Sequence, residues 1–227
     1  MGKCLIVATH YDDEYLMFGS FLINYPGEIN VVFTHQGDCL SKDSFAKEYR
    51  EHEKFTEALK KYRISKGFGE YNVKYVPKFG EVNRLGVTVE THKDICKTIE
   101  SLLEHEKWEY YLYSCKSIHN NHQQSNIIAE SMLRNPYVFN VQNILIGTYD
   151  PECLFPVEDA GKFCIQRIIT EEEMSALTRI GRNYHDKLEK FPEEQFKKIL
   201  RYNGLKVDKP YAQAFSARNM ILSDNKV

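Results

Sequence analysis

A histidine and three carboxylates stand together near the start of the chain, in the sequence Thr-His-Tyr-Asp-Asp-Glu at residues 9–14. Two further histidines, His119 and His122, lie three residues apart in the sequence His-Asn-Asn-His. Histidine, carboxylate and histidine form a usual ligand set for a catalytic zinc ion, which keeps a position open for water. A second carboxylate beside the ligands can take a proton from that water. The two clusters indicate a metal site with a base, provided that the fold brings them together.

Each cluster also has a plainer interpretation when it is taken alone. Asp and Glu are common in the first turn of a helix, where they cap N–H groups and interact favourably with the helix dipole. Two histidines three apart at the opening of a helix often have no function in common. The choice depends on whether the surrounding elements place both clusters at one edge of the fold.

The elements around the clusters alternate between strand-like and helix-like runs. Strand-like runs, rich in β-branched and aromatic residues, cover residues 4–8, 29–34, 73–76, 108–114 and 143–148. Apolar residues at helical spacing or in nearly continuous runs predict helices over residues 13–24, 43–62, 89–105 and 123–134. This alternation predicts an α/β fold, a three-layer α/β/α sandwich with a mainly parallel, Rossmann-like sheet. Both clusters then follow the carboxyl ends of parallel strands, which lie at the edge where ligands bind.

Two of these helices carry more specific expectations about packing. The first is apolar nearly all round, which predicts burial on most sides, and Gly19 and Ser20 should let it approach the sheet closely. In the helix over 123–134, we expect Ile127, Ile128 and Met132 to face inward.

The alternation weakens after about residue 150. Residues 165–169 could form a peripheral strand, and Thr170 with Glu173 has the pattern of a capping box that opens a helix. A polar helix is predicted over 191–202, and the apolar segment 211–215 is expected to pack on the body of the fold. Because no linker divides the chain, we expect a single domain over residues 1–227, with a less regular extension from about 150.

Composition excludes several classes of protein. Lys and Arg number 30 against 32 Asp and Glu, without long runs of one sign, so no nucleic-acid surface is evident. The six cysteines form no C-x-x-C pair, and no apolar stretch reaches 18 residues, which favours a reduced, cytoplasmic protein without a transmembrane segment. The sequence lacks G-x-G-x-x-G and G-x-S-x-G, which argues against a dinucleotide site and a serine hydrolase. A homo-oligomer remains open.

Four segments, in order along the chain, resemble the LmbE-like (PIG-L) family of zinc-dependent N-deacetylases. Residues 9–14 are similar to that family's Ala-His-Pro-Asp-Asp-Glu, and residues 119–122 to its His-Pro-Asp-His. Arg50 and Glu53 match its Arg-x-x-Glu on the helix after the second strand. The sequence Tyr-Ala-Gln-Ala-Phe at 211–215 is similar to its Tyr-Ala-Glu-Ala-Phe. The resemblance spans nearly the whole chain.

The resemblance implies an LmbE-like fold and an activity. The implied reaction removes an N-acetyl group from an N-acetylglucosamine-type sugar or its conjugate, so the expected partner is a small amino-sugar glycoside or glycoconjugate. His10, Asp13 and His122 are implied to bind zinc, with another divalent metal as the alternative.

The resemblance also implies roles for residues around the metal. Asp12 corresponds to the general base, and His119 to the residue that stabilises the oxyanion or protonates the leaving amine. Arg50 would contact a polar or anionic part of the substrate, although a surface ion pair with Glu53 is an equally ordinary use of that arginine.

Four departures from the family pattern leave the function open. Tyr11 replaces a proline, Asn121 replaces an aspartate that would orient and charge-stabilise His119, and Gln213 replaces a glutamate. The loop over residues 78–84 also lacks the family's Asp-Gly pattern. An active zinc amidase on an amino sugar is favoured. A metal-binding relative that lost catalysis and now acts as a glycan or nucleotide-sugar binding module is the second interpretation, and a zinc hydrolase of another bond is the third.

Overall fold

The computed structural model describes residues 2–35, 41–77, 82–83, 86–114, 120–135, 140–147, 164–184 and 193–218. In these ranges the strands are β1 (Lys3–Ala8), β2 (Glu28–Phe33), β3 (Tyr71–Tyr75), β4 (Val82–Asn83), β5 (Gly86–Val87), β6 (Trp108–Ser114), β7 (Val141–Gly147), β8 (Cys164–Ile169) and β9 (Tyr211–Arg218). The helices are α1 (Asp13–Asn24), α2 (Lys42–Ser65), α3 (Val89–His105), α4 (Asn120–Met132), α5 (Glu171–Gly181) and α6 (Glu193–Leu205). Within the same ranges, every helix is too short or too polar to cross a membrane.

Seven strands form one mixed sheet in the order β3-β2-β1-β6-β7-β9-β8, and β4 pairs with β5 separately. The pairs from β3 through β7 are parallel, whereas β9 is antiparallel to both β7 and β8. The strand order runs one way from β1 to β3 and the other way from β6 to β7. The carboxyl ends of β1 and β6 therefore flank the point where the order reverses, which is where ligands bind in open α/β sheets.

Both faces of the sheet are buried, as the apolar residues of β1 show. Cys4, Ile6 and Ala8 contribute to a core that also contains side chains of α1, α2, α5 and α6. Leu5 and Val7 point to the opposite face, into a core that α3 and α4 complete. Every residue from Cys4 to Ala8 is fully buried because helices cover both sides. The predicted three-layer α/β/α sandwich with a mainly parallel sheet is confirmed.

Helix α1 is buried along almost its whole length, as predicted, and it is kinked at Phe18 (φ −129°, ψ 17°). Gln213 of β9 bridges this kink with its side-chain amide. The Ser20 backbone N–H donates to Gln213 Oε1 at 2.8 Å, and Gln213 Nε2 donates to the Leu16 carbonyl oxygen at 3.0 Å. In a regular helix the Leu16 carbonyl and the Ser20 N–H bond each other. Gln213 thus satisfies both groups at the place where the helix bends.

Gln213→Leu should lower the free energy of unfolding by about 2–3 kcal/mol, because it leaves two buried backbone groups without their partner. Denaturant unfolding measures the change. Gln142→Leu is the matched control, since Gln142 is exposed on β7 of the same sheet. Gln213→Glu should be intermediate, because a carboxylate can accept from Ser20 but cannot donate to Leu16. Equal stability of the Gln213→Leu and Gln142→Leu variants would show that α1 closes its own hydrogen bond.

The described residues of the C-terminal part, 164–184 and 193–218, form two strands and two helices. Residues 211–215 pack on the body as expected, but they do so inside the sheet, as part of β9 between β7 and β8. The peripheral strand predicted over 165–169 is present as β8 at the sheet edge. Thr170 and Glu173 form the predicted capping box, with both reciprocal hydrogen bonds present.

Three local predictions are wrong. Ile127 does not face inward, because it is 56% exposed on α4. Helix α4 already begins at Asn120, so Asn121 and His122 lie in its first turn. Gly19 contacts α5 rather than the sheet, since a Cβ there would lie 2.9 Å from Leu177 Cδ2. Each error concerns tertiary packing, which apolar spacing does not determine.

Candidate metal centre

The turn after β1 is held in one conformation by hydrogen bonds. The His10 backbone N–H donates to Asp13 Oδ2 at 2.7 Å, while the Asp13 N–H donates to the His10 carbonyl oxygen at 3.2 Å. The His35 N–H, after β2, donates to the Thr9 carbonyl oxygen and ties the turn to the neighbouring strand. His10 is 7% exposed and Asp13 2% exposed. The fold therefore fixes the backbone of this turn and the Asp13 carboxylate before any ligand binds.

His122 reaches this turn from the other side of the β1–β6 boundary. It is 3% exposed, and its Nε2 lies 3.6 Å from Asp13 Oδ2. His10 Nδ1 lies 3.6 Å from the same oxygen, and the two imidazole rings have centroids 5.0 Å apart. Of the residues that the structure describes, these make up the one group of three metal-ligating side chains with donor atoms close together, all within 4.8 Å.

The geometry of this group fits a metal ion. Zinc bonds to nitrogen and oxygen of about 2.0–2.1 Å in a tetrahedron separate the ligand atoms by about 3.3 Å. The observed 3.6 Å separations require only small shifts to reach that value. Two borderline imidazole nitrogens and one hard carboxylate oxygen form a mixed donor set that suits zinc and related divalent ions. His10, Asp13 and His122 can therefore hold a metal, as the two sequence clusters predicted.

Asn121 lies beside the metal ligands and contacts one of them. It is 1% exposed, and its Nδ2 lies 3.2 Å from His10 Nε2. The sequence interpretation pairs this residue with His119, which lies outside the described residues. The contact with His10 was not predicted, because only the fold brings positions 111 residues apart together.

Asp12 is the half-buried member of the motif and the N-cap residue of α1. Its carbonyl oxygen accepts from the Tyr15 and Leu16 N–H groups. Within the described first turn of α1, its side chain accepts no capping hydrogen bond. The plainer interpretation, in which this carboxylate caps the helix, therefore does not apply to Asp12.

A buried polar network, which the sequence did not reveal, lies behind the motif. Glu14 Oε1 accepts from the Tyr184 hydroxyl at 2.7 Å and lies 3.0 Å from His52 Nε2. The other ring nitrogen of His52, Nδ1, lies 2.6 Å from the Tyr75 hydroxyl. Glu14 and His52 are both fully buried. The only sequence signal was that Glu14 belongs to the first motif and His52 to the second helix.

Burial determines the protonation states of Glu14 and His52. It raises the pKa of the Glu14 carboxyl well above its ordinary value, against the hydrogen bond from Tyr184, which lowers it. Burial lowers the pKa of His52 to about 3, against the negative charges of Asp12 and Glu53, which raise it. Burial therefore favours the neutral form of both groups, and in that form the Glu14 carboxyl donates to His52 Nε2 across the 3.0 Å contact.

His52→Gln should remove an acid-sensitive part of the stability of the metal-free protein. Folded His52 has a pKa of about 3, whereas its ordinary value in an unfolded chain is about 6.5. The unfolded chain binds more protons between these values, so the stability that neutral His52 contributes is present above about pH 6.5 and is lost toward pH 3. The difference in unfolding free energy between wild type and variant should fall by about 1.4 kcal/mol per pH unit in that window.

Denaturant unfolding of both proteins at several pH values, with a chelator present, measures this difference. Above about pH 7 the difference should be constant, because His52 is then neutral in both states. A difference that does not change with pH would show that His52 keeps its proton on folding.

Tyr11, which stands where the resembling family has proline, connects the metal turn to this network. Its ring stacks on His52 with centroids 5.1 Å apart and meets Phe33 edge-on at 5.3 Å. The Tyr184 hydroxyl also contacts the Tyr11 carbonyl oxygen, which shares the single hydroxyl proton with Glu14 Oε1. Packing and hydrogen bonding thus hold the turn that a proline would restrict through its ring.

Arg50 is exposed on α2. None of the ion pairs between described side chains joins it to Glu53, whose carboxylate instead accepts a hydrogen bond from Tyr49. Among the described residues, the surface ion pair considered from the sequence is therefore absent. A role of Arg50 in substrate binding stays a prediction.

The three-layer sandwich with its cluster at the β1–β6 edge is similar in fold to several solved structures. The conserved protein TT1542 from Thermus thermophilus matches with a TM-score of 0.65 and 16% identity, over 98% of this chain and 97% of that protein. N,N'-diacetylchitobiose deacetylase from Pyrococcus horikoshii matches with a TM-score of 0.62 and 13% identity, over 95% of this chain and 83% of that protein. Teicoplanin deacetylase Orf2, in a zinc-inhibited form, matches with a TM-score of 0.63 and 14% identity, over 95% of this chain and 97% of that protein.

At these identities the likeness shows the fold. No family model matches the chain, and no curated protein gives a significant match. The resemblance to the LmbE-like deacetylases is therefore confirmed as a likeness in fold over nearly the whole chain.

Proposed function

We propose that this chain is a metal-dependent hydrolase that removes the acetyl group from an N-acetylglucosamine-type sugar or its conjugate. The observation that carries the proposal is the buried His10–Asp13–His122 group at the β1–β6 edge, with the half-buried Asp12 next to it. The solved structures with the same fold include deacetylases named for diacetylchitobiose and teicoplanin. Acetylated amino sugars are accordingly the first substrates to test.

Zinc is the metal that we propose, held by His10 Nδ1, the Asp13 carboxylate and His122 Nε2. A bound zinc ion lowers the pKa of water to about 7 and polarises a carbonyl oxygen, which are the two requirements for attack on an amide. One carboxylate and two neutral imidazoles leave a divalent ion with one net positive charge. That charge favours the negative charge that develops on the amide oxygen.

The proposed proton path begins at Asp12. Its carboxylate takes one proton from the attacking water as the water oxygen bonds to the acetyl carbon. The C–N bond then breaks, acetate leaves with the new oxygen, and the sugar nitrogen gains a proton and becomes a free amine. His119 remains our candidate for stabilising the oxyanion or delivering that proton. Arg50 is proposed to bind a polar or anionic part of the substrate.

Acetate release from a panel of N-acetylated glycosides tests the proposal. The protein is stripped of metal, reloaded with about one equivalent of zinc, and incubated with N-acetylglucosamine carried on sugar, lipid and pseudodisaccharide groups. Acetate and free amine are both measured, and they should form in equal amounts only in the zinc-loaded sample. Metal binding without acetate from any substrate would favour a binding module. Phosphate released from a phosphoester would favour a hydrolase of another bond.

A further inference from the structure

The two ring nitrogens of His10 face different partners. His10 Nδ1 points toward the metal group, 3.6 Å from Asp13 Oδ2. His10 Nε2 points away from it, toward the side-chain amide of Asn121 at 3.2 Å. Asn121 precedes the ligand His122 in the first turn of α4 and is 1% exposed. One turn of α4 therefore supplies His122, a proposed metal ligand, and Asn121, which contacts the ring nitrogen of His10 that faces away from the metal group.

The residue behind a ligating histidine influences how well that histidine binds metal. Such a residue usually accepts the N–H of the ring nitrogen that does not bind, which fixes the tautomer and orientation of the ring. If His10 offers its Nδ1 lone pair to a metal, Nε2 must carry the proton and donate it. A carboxylate can only accept, whereas an amide presents either oxygen or nitrogen after a half-turn.

We propose that Asn121 is a positioning residue for the metal ligand His10, and that its neutral amide gives the centre a lower metal affinity than an aspartate would. This inference rests on the proposed metal site. Among the three proposed ligands and Asn121, Asp13 supplies the one negative charge, and an aspartate at position 121 would add another. In a buried centre this added negative charge would strengthen the binding of a divalent cation.

The orientation of the Asn121 amide is linked to the tautomer of His10, because the amide can turn either its nitrogen or its oxygen toward the ring. Asn121 Nδ2 lies toward His10 Nε2, and in this orientation the amide donates and a neutral His10 carries its proton on Nδ1, on the side of the Asp13 carboxylate. Metal binding at Nδ1 then requires the proton to move to Nε2 and Asn121 to turn its oxygen inward. An aspartate at 121 would hold the metal-binding tautomer in advance, which lowers the cost of binding.

Metal affinity of the purified full chain tests the charge argument. Zinc is titrated against a competing chromogenic chelator for wild type, Asn121→Asp and Asn121→Leu. We expect Asn121→Leu to weaken binding by about 10–100-fold and Asn121→Asp to tighten it by about tenfold. Asn126→Leu is the matched control, because Asn126 is also buried on α4 but donates to the Ser114 carbonyl oxygen rather than contacting a proposed ligand through its Nδ2. That variant should lose stability and keep wild-type affinity.

The tautomer of His10 gives a second readout that needs no metal and no activity. Nitrogen-15 NMR of histidine-labelled, metal-free protein distinguishes a proton on Nδ1 from one on Nε2. We expect the Nδ1 proton in wild type and the Nε2 proton in Asn121→Asp. Unchanged tautomer and unchanged zinc affinity in both Asn121 variants would overturn the inference. Shifted affinities without acetate release by any variant would overturn the proposed function alone, and a wild type that binds no zinc would overturn both.

Discussion

His122→Ala is expected to lose its bound metal and all metal-dependent turnover. His122 supplies one of three ligating side chains, and its Nε2 lies 3.6 Å from the Asp13 oxygen that shares the site. Loss of a ligand should weaken binding by more than the about 10–100-fold that loss of an outer partner costs. Metal analysis should show about one equivalent of zinc in wild type and little in the variant after dialysis. Added zinc should raise the melting temperature of wild type only, because a ligand stabilises only the state that binds it.

His105→Ala is the control for this measurement, because it removes an exposed histidine at the end of α3. It should keep both the metal and the zinc-dependent rise in melting temperature. Unchanged metal content in His122→Ala would remove His122 from the ligand set. The proximity of the two sequence clusters would then not be explained by a shared metal ion.

The candidate centre was largely predictable because each half is local in sequence. His10 and Asp13 lie in one turn, closed by their own hydrogen bonds, and His122 follows a strand that was recognisable from its aromatic residues. Bringing the two halves to one site also needs β1 and β6 to be parallel neighbours. Alternation of strands and helices predicts the parallel direction and the shared carboxyl edge, but the neighbourhood of β1 and β6 comes from the fold.

The contacts that support the centre were not predictable, since they join distant positions. Gln213 meets α1 across 193 residues, and Asn121 meets His10 across 111. Nothing in the local sequence around Gln213 indicates a kink in another helix. Segment 211–215 contains no β-branched residue, yet it becomes part of an interior strand because β7 and β8 offer pairing on both sides.

The same limit applies to the network of Glu14 and His52. A glutamate in the first turn of a helix is ordinary at a surface, and the sequence contains no sign of its burial. In the fold, Tyr184 and His52 enclose Glu14 from the segment after α5 and from α2. Burial then keeps both groups neutral, a state that depends on tertiary packing and not on residue type.

Asp12→Asn is expected to keep the fold and the metal while losing most turnover, by about 10²–10⁴-fold. The substitution leaves the helix start intact, because Asp12 holds α1 through its backbone carbonyl and asparagine is an equally good N-cap residue. It also leaves the His10–Asp13–His122 group unchanged. Steady-state kinetics are measured on the substrate that releases acetate, and metal content and melting temperature are measured on the same sample. Lower turnover with unchanged metal content and melting temperature indicates loss of the base, whereas loss of metal or of stability indicates damage to the whole site.

The structure favours Asp12 over the two other carboxylates of the motif as the base. Asp13 is 2% exposed and its Oδ2 already accepts the His10 N–H, which suits the ligand role that we propose for it. Glu14 is fully buried and bonded to Tyr184 and His52, so its carboxyl is not placed to meet a water molecule at the metal group. Asp12 is half-buried, with its side chain not used as a cap. Near-normal turnover in Asp12→Asn would leave none of the three carboxylates as the base, and a histidine would have to take the proton.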